Sequence, residues 1–154
     1  MIALNHVLLG GAIGANIDNY PAVIGLSVAS HFVLDFLPHV DQGTEINGRE
    51  LKFKLKYFLA TLDVLVSSVI IVLILSARPG LNRYLVIIGA FSALLVDLVF
   101  NVPFWQQWTK KIQPFKAIDN FHEAIHRPFK KYQYSVGIPL QIIIIIMSLW
   151  LLLK

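Results

Sequence analysis

The sequence contains no cysteine and few charged residues. No disulfide framework or thiolate metal site can form, so any metal must be held by His, Asp, Glu or Asn. Charged residues make up 14% of the 154 residues and hydrophobic residues 56%, whereas soluble domains carry about 25% charged residues. A chain this short has too little polar surface for water to be its main solvent. We therefore expect a single integral membrane domain over residues 1–154.

Positive charge is missing from the start of the chain. No Lys or Arg precedes Arg49, so the charged segment that opens a cleavable signal peptide is lacking. The net charge of +4 comes from cations that flank apolar segments. Nucleic-acid binding requires clustered basic patches instead, so we expect no nucleic-acid partner.

The apolar residues fall into five blocks, which predicts an all-α, polytopic membrane protein with about five hydrophobic helices. Segments 58–77, 84–105 and 135–153 are each long enough to cross a hydrocarbon core of about 30 Å at about 1.5 Å per residue. Segments 2–17 and 21–37 are shorter. We expect these two either to cross the membrane tilted or to form a hairpin.

The cations divide unequally between the two sides of this predicted bundle. Arg78, Arg83 and Lys154 fall on one side, and the other ten cations fall on the opposite side, in segments 38–56 and 106–134. Cytoplasmic loops carry the excess of Lys and Arg in membrane proteins. We therefore expect a cytoplasmic N-terminus and an external C-terminus, in a prokaryotic plasma membrane.

The strongest local pattern is SHFVLDFLPHVD, at residues 30–41. His31 and Asp35 are four residues apart and share one helix face, and His39 continues the same stripe. Pro38 disfavours helix in the residue before it, so we expect the helix to end there. Sites for Zn²⁺, Mn²⁺ or Fe²⁺ use imidazole and carboxylate ligands, which makes all three residues ligand candidates and Asp35 a catalytic candidate as well. The alternative is a buried polar seam in which His31 and Asp35 bond to each other.

The segment HEAIH has the H-E-x-x-H spacing. His122 and His126 lie one helical turn apart, so both can bind one metal, with Glu123 as general base on its water. Asn120 and Glu123 also have the spacing of a capping box, which predicts a short interfacial helix near 119–127. Glu123 is therefore either a catalytic base or a helix cap.

Three cations, Arg127, Lys130 and Lys131, directly follow this segment. Such a run usually faces solvent or lipid headgroups. It can also clamp a substrate phosphate, because the guanidinium group of Arg offers a bidentate fork.

Ionisable residues inside apolar segments are costly and usually mark function or paired packing. Asp97 and Asn101 share a helix face, and Asp97 is a candidate for ligation, for catalysis or for accepting a hydrogen bond from a ligand histidine. An interhelical hydrogen bond is the alternative. His6 opens the first segment at a depth that suits a metal ligand. Asp63 is either a ligand or a partner for Lys56 or a histidine.

The opening NHVLLGGAIGA followed by SHFVLDFLPHVD resembles the short YdjM-like membrane proteins, a family classed as membrane-bound metal-dependent hydrolases. The likeness covers roughly residues 1–45, and its most specific element is S-H-x-x-L-D-x-x-P-H. Asp97 and the later histidine pair add weaker support, and the family's late motif reads closer to H-R-G-x-x-H than to HEAIH. The resemblance implies a helical membrane protein that binds metal and hydrolyses its substrate.

Together these patterns predict a metal-dependent hydrolase whose site opens at the cytoplasmic membrane surface. Zinc is the first expectation for the metal, with manganese or iron as alternatives. A site at headgroup depth with cations around it favours a phosphorylated lipid or a phospholipid ester, so membrane lipid is the expected partner. Two other interpretations remain: an intramembrane metallopeptidase built on HEAIH, and a non-enzymatic metal carrier or structural membrane protein. The sequence does not define an oligomeric state.

Overall fold

The computed structural model describes residues 1–41, 51–125 and 132–154, and these ranges contain helices and no strand. The helices, in chain order, are α1 (Ala3–Asn16), α2 (Tyr20–Phe36), α3 (Phe53–Ala77), α4 (Arg83–Phe100), α5 (Gln106–Thr109), α6 (Gln113–Ile125) and α7 (Ile138–Leu153). A π-helical turn, Gln133–Gly137, leads directly into α7. The all-α prediction is confirmed for the described residues.

Three helices, not five, are long and apolar enough to cross a membrane. They are α3, α4 and the continuous helix Gln133–Leu153. The first two of the five predicted helices, α1 and α2, form but are short, as expected for segments 2–17 and 21–37. The 14 residues of α1 and the 17 residues of α2 extend about 21 and 25 Å at about 1.5 Å per residue, short of a core of about 30 Å.

Two helix boundaries also differ from the prediction, and a proline accounts for each. α4 ends at Phe100, five residues early, because Pro103 disfavours helical backbone at Val102. α6 begins at Gln113, six residues before the predicted start. Pro114 fits there because the first turn of a helix needs no backbone donor.

The short helix α1 lies at the centre of the bundle, packed against α2, α3, α4 and α7. The G-x-x-x-G spacing of Gly10 and Gly14 allows this close packing. A Cβ added to Gly10 would collide with the carbonyl oxygen of Gly89, and one added to Gly14 would collide with that of Leu85. The α1 and α4 backbones therefore touch, and the contact tolerates no side chain at these positions.

Asp63 on α3 holds the beginning of α1. Its two carboxylate oxygens accept hydrogen bonds from the backbone amides of Ala3 and Leu4, at 2.7 and 3.2 Å. A carboxylate at this position satisfies amides that have no partner within the helix and favours the positive end of the helix dipole. The sequence suggested Lys56 or a histidine as the partner, and these backbone amides were not anticipated.

Helices α1 and α7 run in the same direction. The Asn5 side chain donates to the carbonyl of Gln141 at 3.0 Å, and the Asn16 side chain donates to the carbonyl of Leu151 at 3.2 Å. The beginnings of α1 and α7 therefore lie at the same end of the bundle. The ends of α2 and α4 lie at this end too. Asp35, near the end of α2, contacts His6 of α1, and His31 of α2 contacts the carbonyl of Ala93 on α4.

The α1–α4 contact gives a direct test. Gly10→Ala places a methyl group against Gly89, and such overpacking typically costs about 1–3 kcal/mol, more than the gain of about 1 kcal/mol in helix propensity. We expect a lower midpoint of thermal unfolding in detergent. Gly25→Ala is the matched control, because a Cβ at Gly25 meets nothing within 4 Å, and its midpoint should hold or rise. Equal midpoints for the two variants would contradict the close contact.

Candidate metal centre

His31 and Asp35 occupy one face of α2, a single turn apart, as their spacing predicts. Both side chains are buried, with exposed fractions of 0% and 1%. The helix ends at Phe36, where Pro38 predicts that it should. The two side chains therefore lie in the last turns of α2, at the polar end of the bundle.

The carboxylate of Asp35 is surrounded by imidazole nitrogens. Its Oδ2 lies 3.0 Å from His31 Nε2 and 2.8 Å from Nε2 of His122, which α6 supplies, and the two Nε2 atoms are 3.2 Å apart. Asp97 on α4 completes the group. Each of these four residues offers one ligand atom, and those four atoms all lie within 4.8 Å of one another. We call these four residues the His–Asp group.

The tautomer of His31 prepares it to bind a cation. Its Nδ1 lies 2.8 Å from the carbonyl oxygen of Ala93 on α4. A carbonyl only accepts hydrogen bonds, so Nδ1 carries the proton, and Nε2 of the neutral ring presents its lone pair to Asp35 and His122. A backbone carbonyl that fixes a ligand imidazole in this way is common around protein metal sites. That lone pair is available to a bound metal or to a hydrogen bond from His122 Nε2, 3.2 Å away.

His6 on α1 lies directly beside the His–Asp group. Its ring is fully buried and stacks on the His31 ring, with 4.2 Å between the ring centroids. Nε2 is paired with Asp35, 3.2 Å from its Oδ1, whereas Nδ1 has no hydrogen-bond partner in the described part of the chain. Leaving a buried polar atom without a partner is costly. A ligand held by the group would supply the missing partner, which favours a binding site over a closed polar seam.

Asp97 is held by its neighbour one turn along α4. The Asn101 side chain donates a hydrogen bond to Asp97 Oδ1 at 2.7 Å, so the face that the sequence predicts for this pair is confirmed. Asp97 is half-buried, whereas Asn101 is exposed. Within this pair, Asp97 belongs to the His–Asp group and Asn101 orients its carboxylate.

His39 is close to the His–Asp group but not part of it. Its Nδ1 lies 2.7 Å from the carbonyl of Leu37, and its Nε2 lies 3.4 Å from Asp41 Oδ2. The stripe from His31 would reach His39 only if the helix continued through Pro38, and it does not. A ligand role for His39 stays a prediction.

Gln141 on α7 holds the segment after Pro38. The sequence alone did not predict this contact. Its side-chain amide donates to the carbonyl of Val40 at 3.0 Å and accepts from the amide of Val40 at 3.1 Å. Gln141 and Ser148 are buried polar residues in the apolar helix α7, and a polar group there needs a partner. The long polar side chain of Gln141 was the available signal.

The α-amino group of Met1 also contacts the carboxylate of Asp35. It lies 3.9 Å from Asp41 Oδ2 as well. The polar end of the bundle thus brings together groups from α1, α2, α4, α6 and the segment that follows α2.

Glu123 and its neighbour His122 have different surroundings. His122 is buried, whereas the Glu123 side chain is 54% exposed and lies 3.7 Å from the ammonium group of Lys110. The capping-box interpretation was wrong, since Asn120 and Glu123 lie inside α6. The remaining candidates His126, Arg127, Lys130 and Lys131 lie outside the described residues.

Comparisons with protein-family models, with curated proteins and with solved structures each find no match.

The His–Asp group makes a prediction about metal content. We expect purified protein to carry a divalent metal, and His31→Ala and Asp35→Ala to lose most of it, because loss of a ligand should exceed the roughly 10–100-fold effect of changes around ligands. Mass spectrometry of the purified variants measures the content directly.

His39→Ala is the matched control, since it removes an imidazole of the same SHFVLDFLPHVD segment from outside the group. We expect it to keep more of its metal than His31→Ala does, and a loss as large as that of His31→Ala would support the predicted ligand role of His39. Full metal content in both His31→Ala and Asp35→Ala would mean that these residues form only a polar seam.

Proposed function

We propose that this chain is a metal-dependent hydrolase of the membrane, acting on a phosphorylated lipid or a phospholipid ester. The observation that carries the proposal is the His–Asp group, two imidazoles and two carboxylates gathered at one end of a helical bundle. The resemblance of residues 1–45 to the YdjM-like family supports the same conclusion.

His31, His122, Asp35 and Asp97 would hold the metal. Nitrogen and carboxylate ligands suit zinc first, with manganese or iron as alternatives. A divalent ion bound there supplies an activated water nucleophile at neutral pH and polarises the phosphoryl oxygen. His6 is buried beside Asp35, and its Nδ1, which has no hydrogen-bond partner in the described part of the chain, would be available to the substrate or the attacking water.

The location of the group favours a lipid substrate. Asp35 is the next-to-last residue of α2 and Asp97 lies in the last turn of α4, so both stand where apolar helices end. A hydrolase at this depth meets lipid headgroups before it meets soluble molecules. Lys111 and Lys116, which are exposed on or beside α6, would attract an anionic phosphate. Arg127, Lys130 and Lys131 remain candidates from the sequence.

The excess of cations assigns this end to the cytoplasm, with the C-terminus external. A reporter fused after Lys154 should therefore give an external signal. A cytoplasmic signal would place the His–Asp group on the opposite membrane surface.

Three rival functions have weaker support. A metallopeptidase would use Glu123 as the base beside the metal, but its side chain is half-exposed and contacts Lys110. A metal carrier should have ionisable groups through both halves of the membrane, whereas those of the apolar segments gather at one end. A structural protein would leave the buried Nδ1 of His6 without a partner in the described part of the chain.

We predict that the purified protein, given divalent metal, releases phosphate or a headgroup from lipids in mixed micelles. His31→Ala should abolish the activity. Glu123→Gln should reduce turnover by less than about tenfold, because a general base contributes about 10²–10⁴-fold and Glu123 is not placed as one.

Membrane peptides should not be cleaved in the same assay. Peptide cleavage that disappears in Glu123→Gln with metal still bound would reject the lipid hydrolase and establish the peptidase.

A further inference from the structure

α6 presents two different faces. Phe115, Ile118 and Phe121, spaced three residues apart, expose 38%, 42% and 57% of their surface, and we call them the α6 apolar face. The opposite side of the helix exposes polar residues, including Lys116 and Asn120. An apolar stripe opposite a polar face is typical of a helix that lies between two different environments.

This helix supplies His122 to the His–Asp group but has limited contact with the bundle. Its principal contact among the described elements is with the end of α2. There the Phe121 ring lies 5.6 Å from the Phe32 ring, and His122 reaches Asp35. In the described part of the chain α6 is also held by the Phe115 ring, 6.3 Å from the Phe100 ring of α4, and by an ion pair between Asp119 and Lys110. Phe115 and Phe121 nevertheless keep 38% and 57% of their surface exposed.

The surroundings of the α6 apolar face identify what covers it. Because His122 contacts Asp35 in the last turn of α2, α6 lies level with the end of an apolar helix. The connection from α4 exposes Phe104 and Trp108, at 90% and 71% of their surface. Aromatic side chains gather where a bilayer meets water.

The charges close to the face point to the same environment. Lys111 and Lys116 are exposed on or beside α6 and can contact anionic lipid headgroups. Interfacial helices combine an apolar face with cations on the polar side in this way. A protein partner would not require aromatic residues and lysines at one membrane depth.

We propose that α6 lies in the plane of the cytoplasmic bilayer surface with its apolar face inserted among the lipids, and that this contact holds His122 in the His–Asp group. The metal site is then complete only at a membrane surface, where its lipid substrate is found. The second part of the inference rests on the proposed metal site; the lipid contact does not.

The lipid contact is tested first by spin labelling. The chain has no cysteine, so Ile118→Cys and Ala117→Cys each give one labelling site, on adjacent exposed residues of α6. In vesicles of phosphatidylcholine with phosphatidylglycerol, the label at 118 should collide more with oxygen, which concentrates in lipid. The label at 117 should collide more with water-soluble chromium oxalate.

Equal accessibility of the two labels to chromium oxalate would overturn the lipid contact. Low accessibility of the label at 118 to both reagents would overturn it as well, in favour of a covering protein or a second copy of this chain. Neither result depends on whether metal binds.

The coupling to the metal site is tested by metal affinity in the same vesicles. Ile118→Asp places a negative charge on the side of α6 that faces lipid. We expect it to weaken zinc binding roughly tenfold, the lower end of the effect of mutating residues that support metal ligands. Ala117→Asp introduces the same charge next to it and should bind zinc as the unaltered protein does. Phe115→Ser, a milder change on the same face, should weaken zinc binding in the same direction.

Unchanged zinc affinity in both Ile118→Asp and Phe115→Ser would overturn the coupling while leaving the proposed metal site intact. Absence of zinc binding by the unaltered protein would instead reject the proposed function and the coupling with it, and the spin-label result would still stand.

Discussion

The structure depends on a carboxylate, that of Asp35, buried among helices with three imidazole rings around it. A buried charge is expensive unless it is paired and hydrogen-bonded. His6, His31 and His122 each bring a ring nitrogen within 3.2 Å of its oxygens, and each comes from a different helix. The ammonium group of Met1 contacts the same carboxylate, so the groups around Asp35 come from the start of the chain and from α1, α2 and α6.

Close packing of two glycines makes this arrangement geometrically possible. Gly10 has no side chain and lies directly against the backbone of Gly89 on α4. His6 lies one turn before Gly10 on α1, and Ala93 lies one turn after Gly89 on α4. Because the two backbones touch, the His6 ring can stack on His31 while the Ala93 carbonyl orients that same ring. The backbone contact between two glycines thus sets the geometry of the side chains around Asp35.

The sequence predicted the parts of this structure that depend on local spacing. The i, i+4 positions of His31 and Asp35, the helix end before Pro38 and the pairing of Asp97 with Asn101 each follow from one helical turn. It could not predict that α1 is central, because the apolar residues that make up most of α1 are equally compatible with contact to lipid and to other helices. Spacing also placed His39 on the stripe of His31 and Asp35. Because the helix ends before Pro38, His39 lies outside the His–Asp group.

Contacts between residues far apart in the sequence were not predicted either. Asp63 capping α1 and Gln141 clamping Val40 join residues about 60 and 101 positions apart, which no local pattern records. Both are polar residues within apolar segments. Such a residue signals that a partner exists, and only the fold identifies it.

The central claim is that the His–Asp group binds one divalent metal through nitrogen and oxygen. X-ray absorption at the metal edge of the purified, unaltered protein tests this most directly. The account predicts, for zinc, a first shell of nitrogen and oxygen at about 2.0–2.2 Å with the outer-shell scattering of imidazole rings. A bound metal without imidazole scattering, or protein that takes up no metal when it is supplied, would contradict the claim.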